Sequence, residues 1–316
     1  MQRFAAHLLF ICLTTLPLQA QKPTPIIFDT DIGDDIDDAL ALALALQSPE
    51  LDVRAVTTVI DDVESRTRLA WKELGFYHRQ DIALATGASS PLLDRTRSFQ
   101  APQFKVLTDR DTVPPKARRR AADLIVETLL ASPEKITIVP VGPLTNIALA
   151  LRLEPRITDK IERIVLMGGA FAKQVSEYNI RRDRVAAQIV FQSGVPITAV
   201  GLDVTMQCKL EGADLARLRA ADNPATKFLV QLIELWQNGR PDQLPTLHDP
   251  LAVAVTLRPS LVETQLGRVE VETASPLTYG MTLFHPGPGT TRAALQVNVR
   301  AFLDLFVDRL SAPPRR

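Results

Sequence analysis

The chain has 316 residues, 46% of them hydrophobic, enough to bury the core of one large α/β domain. Lys plus Arg and Asp plus Glu both number 36, so no overall field draws the chain to nucleic acid or to an anionic membrane. What remains informative is charge that is concentrated locally.

The first twenty residues read as a secretory signal peptide. Arg3 gives a basic start, residues 4–16 are mostly apolar, and Leu18-Gln19-Ala20 places a small residue at the cut. The apolar run is too short to span a bilayer. Cys12 lacks the small residues that would precede a lipidated cysteine. The expected mature domain is therefore residues 21–316, periplasmic or secreted. It keeps only Cys208, which precludes an internal disulfide and suits a buried small apolar residue.

A short strand is expected over 25–30. A β-branched run predicts a buried strand over 53–60, followed by a helix over 63–78 and a strand over 82–86. Residues 89–113 are long, polar and Pro-containing, as functional or mobile loops are. Helices are expected over 116–131, 144–153 and 184–192, with strands over 136–141, 161–167 and 196–200. In the last third, 223–238 and 250–257 have helical patterns, and 268–272 and 292–299 are strand-like around the Gly/Pro stretch 286–289. A helix over 300–310 closes the chain. Strand and helix alternating at this spacing predict one α/β domain, with a mainly parallel sheet flanked by helices in a Rossmann-like core. Ligands of such sheets bind outside the carboxyl ends of the strands.

The stretch from Asp29 to Asp38 places six aspartates in ten positions, directly before an uncharged Ala/Leu run. Residues 26–28 form the strand that delivers Asp29 and Asp31, and Gly33 permits a tight turn. The Ala/Leu run lacks β-branched residues and predicts a helix. Asp34 or Asp35 can serve as a helix-start acid, but capping does not account for six carboxylates. Crowded hard oxygen ligands on a turn are what Ca²⁺ or Mg²⁺ requires. The turn is too short for an EF-hand and lacks its bidentate Glu. A haloacid dehalogenase-type phosphatase also opens with two aspartates one residue apart, but Gly33 stands where that pattern needs Thr or Val.

With its other motifs the sequence resembles the inosine–uridine preferring nucleoside hydrolases. Asp29-Thr30-Asp31-Ile32-Gly33 and Asp37-Asp38-Ala39 match their opening motif, with two extra residues in the turn. Val141-Gly142-Pro143-Leu144-Thr145-Asn146, Met167-Gly168-Gly169, Glu177-Tyr178-Asn179, His248-Asp249-Pro250 and Gly280-Met281-Thr282 follow in the family's order.

This resemblance implies a nucleoside hydrolase fold and a Ca²⁺ ion held by Asp31, Asp38, Asp249 and the Val141 carbonyl. It implies hydrolysis of the N-glycosidic bond of ribonucleosides to free base and ribose, with Asp31 as the base that takes a proton from water. Asp37, Asp62, Glu177 and Asn179 match residues that hold ribose hydroxyls, although Asp62 reads equally as the cap of the helix from 63. His248 matches a residue that contacts or protonates the leaving base. Asp35 lies in the insertion and is expected to cap or support the turn. The partner is a small-molecule nucleoside, with no nucleic acid and no membrane span, and the family tends to form dimers or tetramers.

Two departures concern substrate choice. The segment 170–176 is short and lacks the Asn that would contact the ribose 5′-hydroxyl. The His-Gly segment of relatives is absent from the long loop. Recognition of the 5′ end is therefore expected to be weak, with Lys173 a candidate contact for an anionic 5′ group and a solvated loop lysine the simpler reading. A hydrolase for a non-standard riboside, and a non-catalytic ribose-binding protein, are the alternatives.

Overall fold

The computed structural model describes residues 22–98 and 100–315. The expected signal peptide lies outside the described residues. The N-terminal half winds β1 (Thr24–Thr30), α1 (Asp37–Gln47), β2 (Leu51–Thr58), α2 (Val63–Phe76), β3 (Ala83–Ala85), α3 (Ala121–Ala131), β4 (Ile136–Pro140) and α4 (Thr145–Leu153). It continues through β5 (Ile161–Met167), α5 (Tyr178–Arg182), α6 (Arg184–Phe191) and β6 (Ile197–Val200). The last third comprises α7 (Leu202–Thr205), α8 (Gly212–Ala220), α9 (Pro224–Gln237), α10 (His248–Leu257), β7 (Val262–Val271), β8 (Thr282–Pro286), β9 (Thr291–Val297) and α11 (Val299–Ser311).

All nine strands among the described residues join one sheet in the order β3-β2-β1-β4-β5-β6-β9-β7-β8. Pairing is parallel from β3 through to β9, and β7 is antiparallel to both β9 and β8. The chain runs outward from β1 to β2 and β3, then returns to β4 on the other side of β1. The point between β1 and β4 is therefore a topological switch, where the connections diverge and leave a crevice at the carboxyl ends.

Burial explains the Ala/Leu run. Every residue of α1 is buried. A helix with no polar stripe belongs inside the protein, and α1 lies between the sheet and α10 and α11. A second apolar core on the opposite sheet face is built with Leu124, Ile125, Ile147, Ala187 and Val190 of α3, α4 and α6.

Several expected boundaries move. The helix expected from 116 begins at Ala121. Pro114 and Pro115 start a 3₁₀ turn over Pro115–Arg118, after which Arg119 and Arg120 are extended. The second strand ends at Thr58 instead of 60, because Ile60 and Asp61 have φ of 68° and 59°. Both β8 and α8 escape the sequence reading: β8 buries only Thr282, and α8 buries only Leu215 and Leu218.

Candidate active site

The crevice at the switch point holds a cavity of about 450 Å³. β1 delivers Asp31 to it, the loop after β4 delivers Val141, and the first turns of α1 and α10 deliver Asp37, Asp38, His248 and Asp249. The turn between β1 and α1 is fixed through its own acids. Asp38 Oδ1 accepts from Thr30 Oγ1 at 2.5 Å and from the Asp31 N–H at 3.1 Å. Asp37 Oδ2 accepts from the Asp249 N–H at 3.1 Å, which ties α1 to α10. Gly142 is needed by close approach, since a Cβ there would lie 2.6 Å from Asp31 Oδ1.

The long loop has a definite task. Gln103, fully buried, donates to the Asp35 carbonyl at 2.7 Å, and Phe104 packs against Gly33, whose φ is 122°. Neither Asp34 nor Asp35 caps α1, whose N-cap is Ile36 without a side-chain bond. Asp35 Oδ1 accepts instead from the Ile36 N–H at 2.7 Å. On the other side, Arg66 donates to the Ile32 and Ile60 carbonyls, each at 2.9 Å. Arg182 donates to Asp61 at 2.7 Å with both side chains buried. These bonds hold two left-handed, non-glycine residues beside the site, a strained arrangement that the surrounding contacts sustain.

The electrostatics follow from burial. Asp31, Asp37, Asp38 and Asp249 are each no more than 7% exposed. Burial pushes Asp31 up to about 7, with Arg66 opposing. Burial, then the charges of neighbouring aspartates, push Asp37 and Asp249 well above the carboxylate range. Asp38 is raised the same way, with Thr30 and Arg66 opposing. Carboxylates this close cannot all ionise without a cation among them. Asp37, Asp38 and Asp249 offer oxygens within 4.8 Å of one another. Hard, buried, anionic oxygens around one point fit a divalent ion.

The expected residues come together with one exception. Asp31 lines the same cavity as Asp38 and Asp249, although the tightest trio includes Asp37 in its place. The Val141 carbonyl also lines the cavity and accepts from Asn179 Nδ2 at 2.6 Å; its second lone pair leaves it able to face a cation. Glu177 caps α5, accepting from the N–H groups of Asn179, Ile180 and Gly169. Burial raises its carboxyl, and these backbone donors oppose the rise.

Asp62 is the exception, and the ribose-binding expectation for it is corrected. It is exposed, caps α2 by accepting from the Ser65 N–H at 3.0 Å, and borders a separate groove. Its burial partner in sequence, Asp61, turns inward to Arg182 instead. Lys173 and Gln174 are exposed and do not line the cavity.

His248 opens α10, its Nδ1 2.7 Å from Thr205 Oγ1. Burial lowers its pKa to about 4, so the ring is neutral near pH 7. Around it Leu202, Met206 and Trp236 give the cavity an apolar wall. Sequence reading missed these three; Trp236 sits in a plain amphipathic helix, and only the fold shows that one edge of α9 reaches the crevice.

The sequence profile of the inosine-uridine preferring nucleoside hydrolases matches residues 26–304. The pyrimidine-specific ribonucleoside hydrolase RihA of Salmonella gallinarum is 37% identical over 309 residues, 90% of this chain and 98% of that protein. A solved plant nucleoside hydrolase, PpNRh1, superposes with a TM-score of 0.79 at 30% identity, over 92% of this chain and 100% of that one. A purine-preferring ribonucleoside hydrolase from Gardnerella vaginalis does so with a TM-score of 0.79 at 31% identity, over 91% and 98%. An acid-lined crevice at the switch point of this sheet, matched over nearly its whole length, places the chain in the inosine-uridine preferring nucleoside hydrolase family, as a hydrolase acting on N-glycosyl compounds.

Proposed function

We propose that the chain hydrolyses the N-glycosidic bond of ribonucleosides with a bound calcium ion, releasing base and ribose. The observation that carries this reading is the set of four buried carboxylates converging on one cavity at the switch point. Asp38 and Asp249 would hold the ion, with Asp31 or Asp37 and the Val141 carbonyl completing an all-oxygen set. When bound, such an ion orients a water and lowers its pKa.

The chain's own groups account for the rest. Asp31, buried in the cavity beside the ion's ligands, takes a proton from the attacking water. The water adds to the anomeric carbon as the bond to the base breaks, through an oxocarbenium-like state. Carboxylates surrounding the sugar stabilise its developing positive charge. Asp37, Glu177 and Asn179 face the cavity where ribose hydroxyls would sit. Glu177 spends three acceptor positions on backbone N–H groups and retains about one for a hydroxyl. His248, neutral and oriented by Thr205, donates a hydrogen bond to the departing base from its free nitrogen. The wall of Leu202, Met206 and Trp236 suits a planar base.

Ribose release from a panel of purine, pyrimidine and modified ribosides, with and without Ca²⁺, tests the reading. Turnover restored by Ca²⁺ is expected; tight riboside binding with no turnover would favour a binding protein instead. The apolar segment 4–16 supports export with maturation at Gln21, which N-terminal sequencing of secreted material reads. Among the described residues no helix is long and apolar enough to cross a membrane. Assembly as a dimer or tetramer belongs to the same proposal, and light scattering on the purified chain measures it.

A further inference from the structure

Beside the acidic cavity lies a second one of about 300 Å³ with the opposite charge. Arg97, Arg181, Arg182 and Arg184 line it, against one acid, Asp94. Two of these arginines are already paired. Arg182 bonds Asp61 at 2.7 Å, and Arg184 bonds Asp94 at 2.8 Å while its guanidinium stacks 3.9 Å over the Tyr279 ring. Arg97 and Arg181 have no carboxylate within 4.0 Å among the described residues. Arg182 adds a buried Nε that finds no acceptor.

The two cavities share a wall. Ser176 and Arg181 line both, and the Ser176 hydroxyl is held by the Tyr279 carbonyl. Charge crosses the wall too: Arg181 acts on Glu177, and Arg97 on Asp34 and Tyr178, all of which line the acidic cavity. A ligand seated among the aspartates can thus extend into an arginine-lined annex. The acidic floor repels any anion, so among the described residues Arg181, which lines both cavities, with Arg97 behind it, is where a ligand's negative charge is best placed. Planar guanidinium groups match the geometry of phosphate oxygens better than any other side chain.

We propose that the annex binds a phosphate group, borne on the ribose of the nucleoside, so that nucleoside 5′-monophosphates are substrates as well as nucleosides. This rests on the reading of the acidic cavity as a nucleoside site. The chemistry is unchanged: water adds to the anomeric carbon, the base leaves with a proton, and the phosphate ester stays intact on the ribose. Lys173 itself lines neither cavity; Arg97 and Arg181 take the role of anion contact. If the two arginines served only as counter-charges to Asp34 and Glu177, their loss would affect neutral and anionic substrates alike.

The test compares uridine and uridine 5′-monophosphate with the full chain in Ca²⁺, for wild type, Arg97→Ala and Arg181→Gln, and adds calorimetry with inorganic phosphate. In Arg97→Ala, kcat/KM for the monophosphate is expected to fall roughly tenfold to a hundredfold, the scale of one charge-assisted hydrogen bond, while uridine is unaffected. Arg181→Gln should lower the monophosphate more than uridine, and added salt should do the same in wild type. Inorganic phosphate bound by wild type and lost in Arg97→Ala, with no turnover of the monophosphate, would support the site with free phosphate as its ligand. Uridine turnover with neither monophosphate turnover nor phosphate binding would overturn the proposal and leave the proposed function standing. Equal losses for both substrates in Arg97→Ala would also overturn it. Phosphate binding without hydrolysis of any riboside would sink the proposed function and keep the site.

Discussion

Placing an alanine at Gly142 tests whether the position of Asp31 controls the reaction. The added Cβ would lie 2.6 Å from Asp31 Oδ1, 3.0 Å from its backbone nitrogen and 2.9 Å from Val59 Cγ1. Ordinary contact begins near 3.4 Å, so Asp31 must retreat by about 0.8 Å, the gap between those distances. Little slack is available, because the Asp31 N–H is tied to Asp38 and β1 is paired on both sides. A misplacement of about 1 Å in a reacting group costs roughly 10²-fold in rate. Gly142→Ala should therefore lose about 100-fold in kcat for uridine, with a smaller change in KM. Gly75→Ala is the control, since its Cβ meets only the flexible Gln80 side chain at 3.1 Å. Steady-state kinetics on both variants, with thermal melts to confirm folding, decides the matter. A folded Gly142→Ala enzyme within threefold of wild type would refute Asp31 as a positioned base.

Other perturbations separate structural from functional acids. Glu73 is fully buried with neither oxygen bonded, and burial, aided by the charge of Asp38, holds its carboxyl well above the ordinary 4.5. A carboxyl raised in the folded state supports the fold below its unfolded pKa and loses that support as pH rises toward its folded value. Glu73→Gln should thus match wild type near pH 4.5 and gain stability by about 1.4 kcal/mol per pH unit above that until the folded pKa is reached. Melts that run parallel from pH 5 to 8 would contradict it. Asp62→Ala should cost about 1 kcal/mol in urea unfolding through the lost α2 cap and leave kcat/KM for uridine unchanged; a tenfold kinetic loss would return Asp62 to the ribose site. Arg182→Met strands a buried Asp61 charge and should cost about 3–5 kcal/mol in the same assay, with Asp61→Asn recovering part of it in the double variant.

Much of this molecule was legible before its structure. Period and β-branching located β1, β2, β4, β5 and β6, since buried parallel strands are continuous apolar runs. The crowded acids after β1 pointed to a cation, and the structure gathers Asp37, Asp38 and Asp249 into a buried cluster that could hold one. What escaped has physical causes. Asp61 and Asp62 are identical in type and adjacent, so which one turns inward depends on the left-handed backbone at residues 60 and 61 and on Arg182, 121 positions away. The apolar wall of Leu202, Met206 and Trp236 comes from two separate elements, α7 with its C-cap and α9, that carry no local signature. Gln103 looked like an ordinary loop amide, and only the docked loop shows it holding the acidic turn. The meeting of Arg97 and Arg181 in one cavity likewise depends on the fold alone.

The central claim is that the buried aspartates hold one cation and that riboside hydrolysis depends on it. Chelator-stripped protein, returned to known amounts of Ca²⁺, allows bound ion and ribose release from uridine to be counted on one sample. The account predicts no ribose without the ion, and a rate that rises in step with occupancy and levels off at one ion per chain. Full turnover in excess chelator, or a single bound ion that changes no rate, would contradict it.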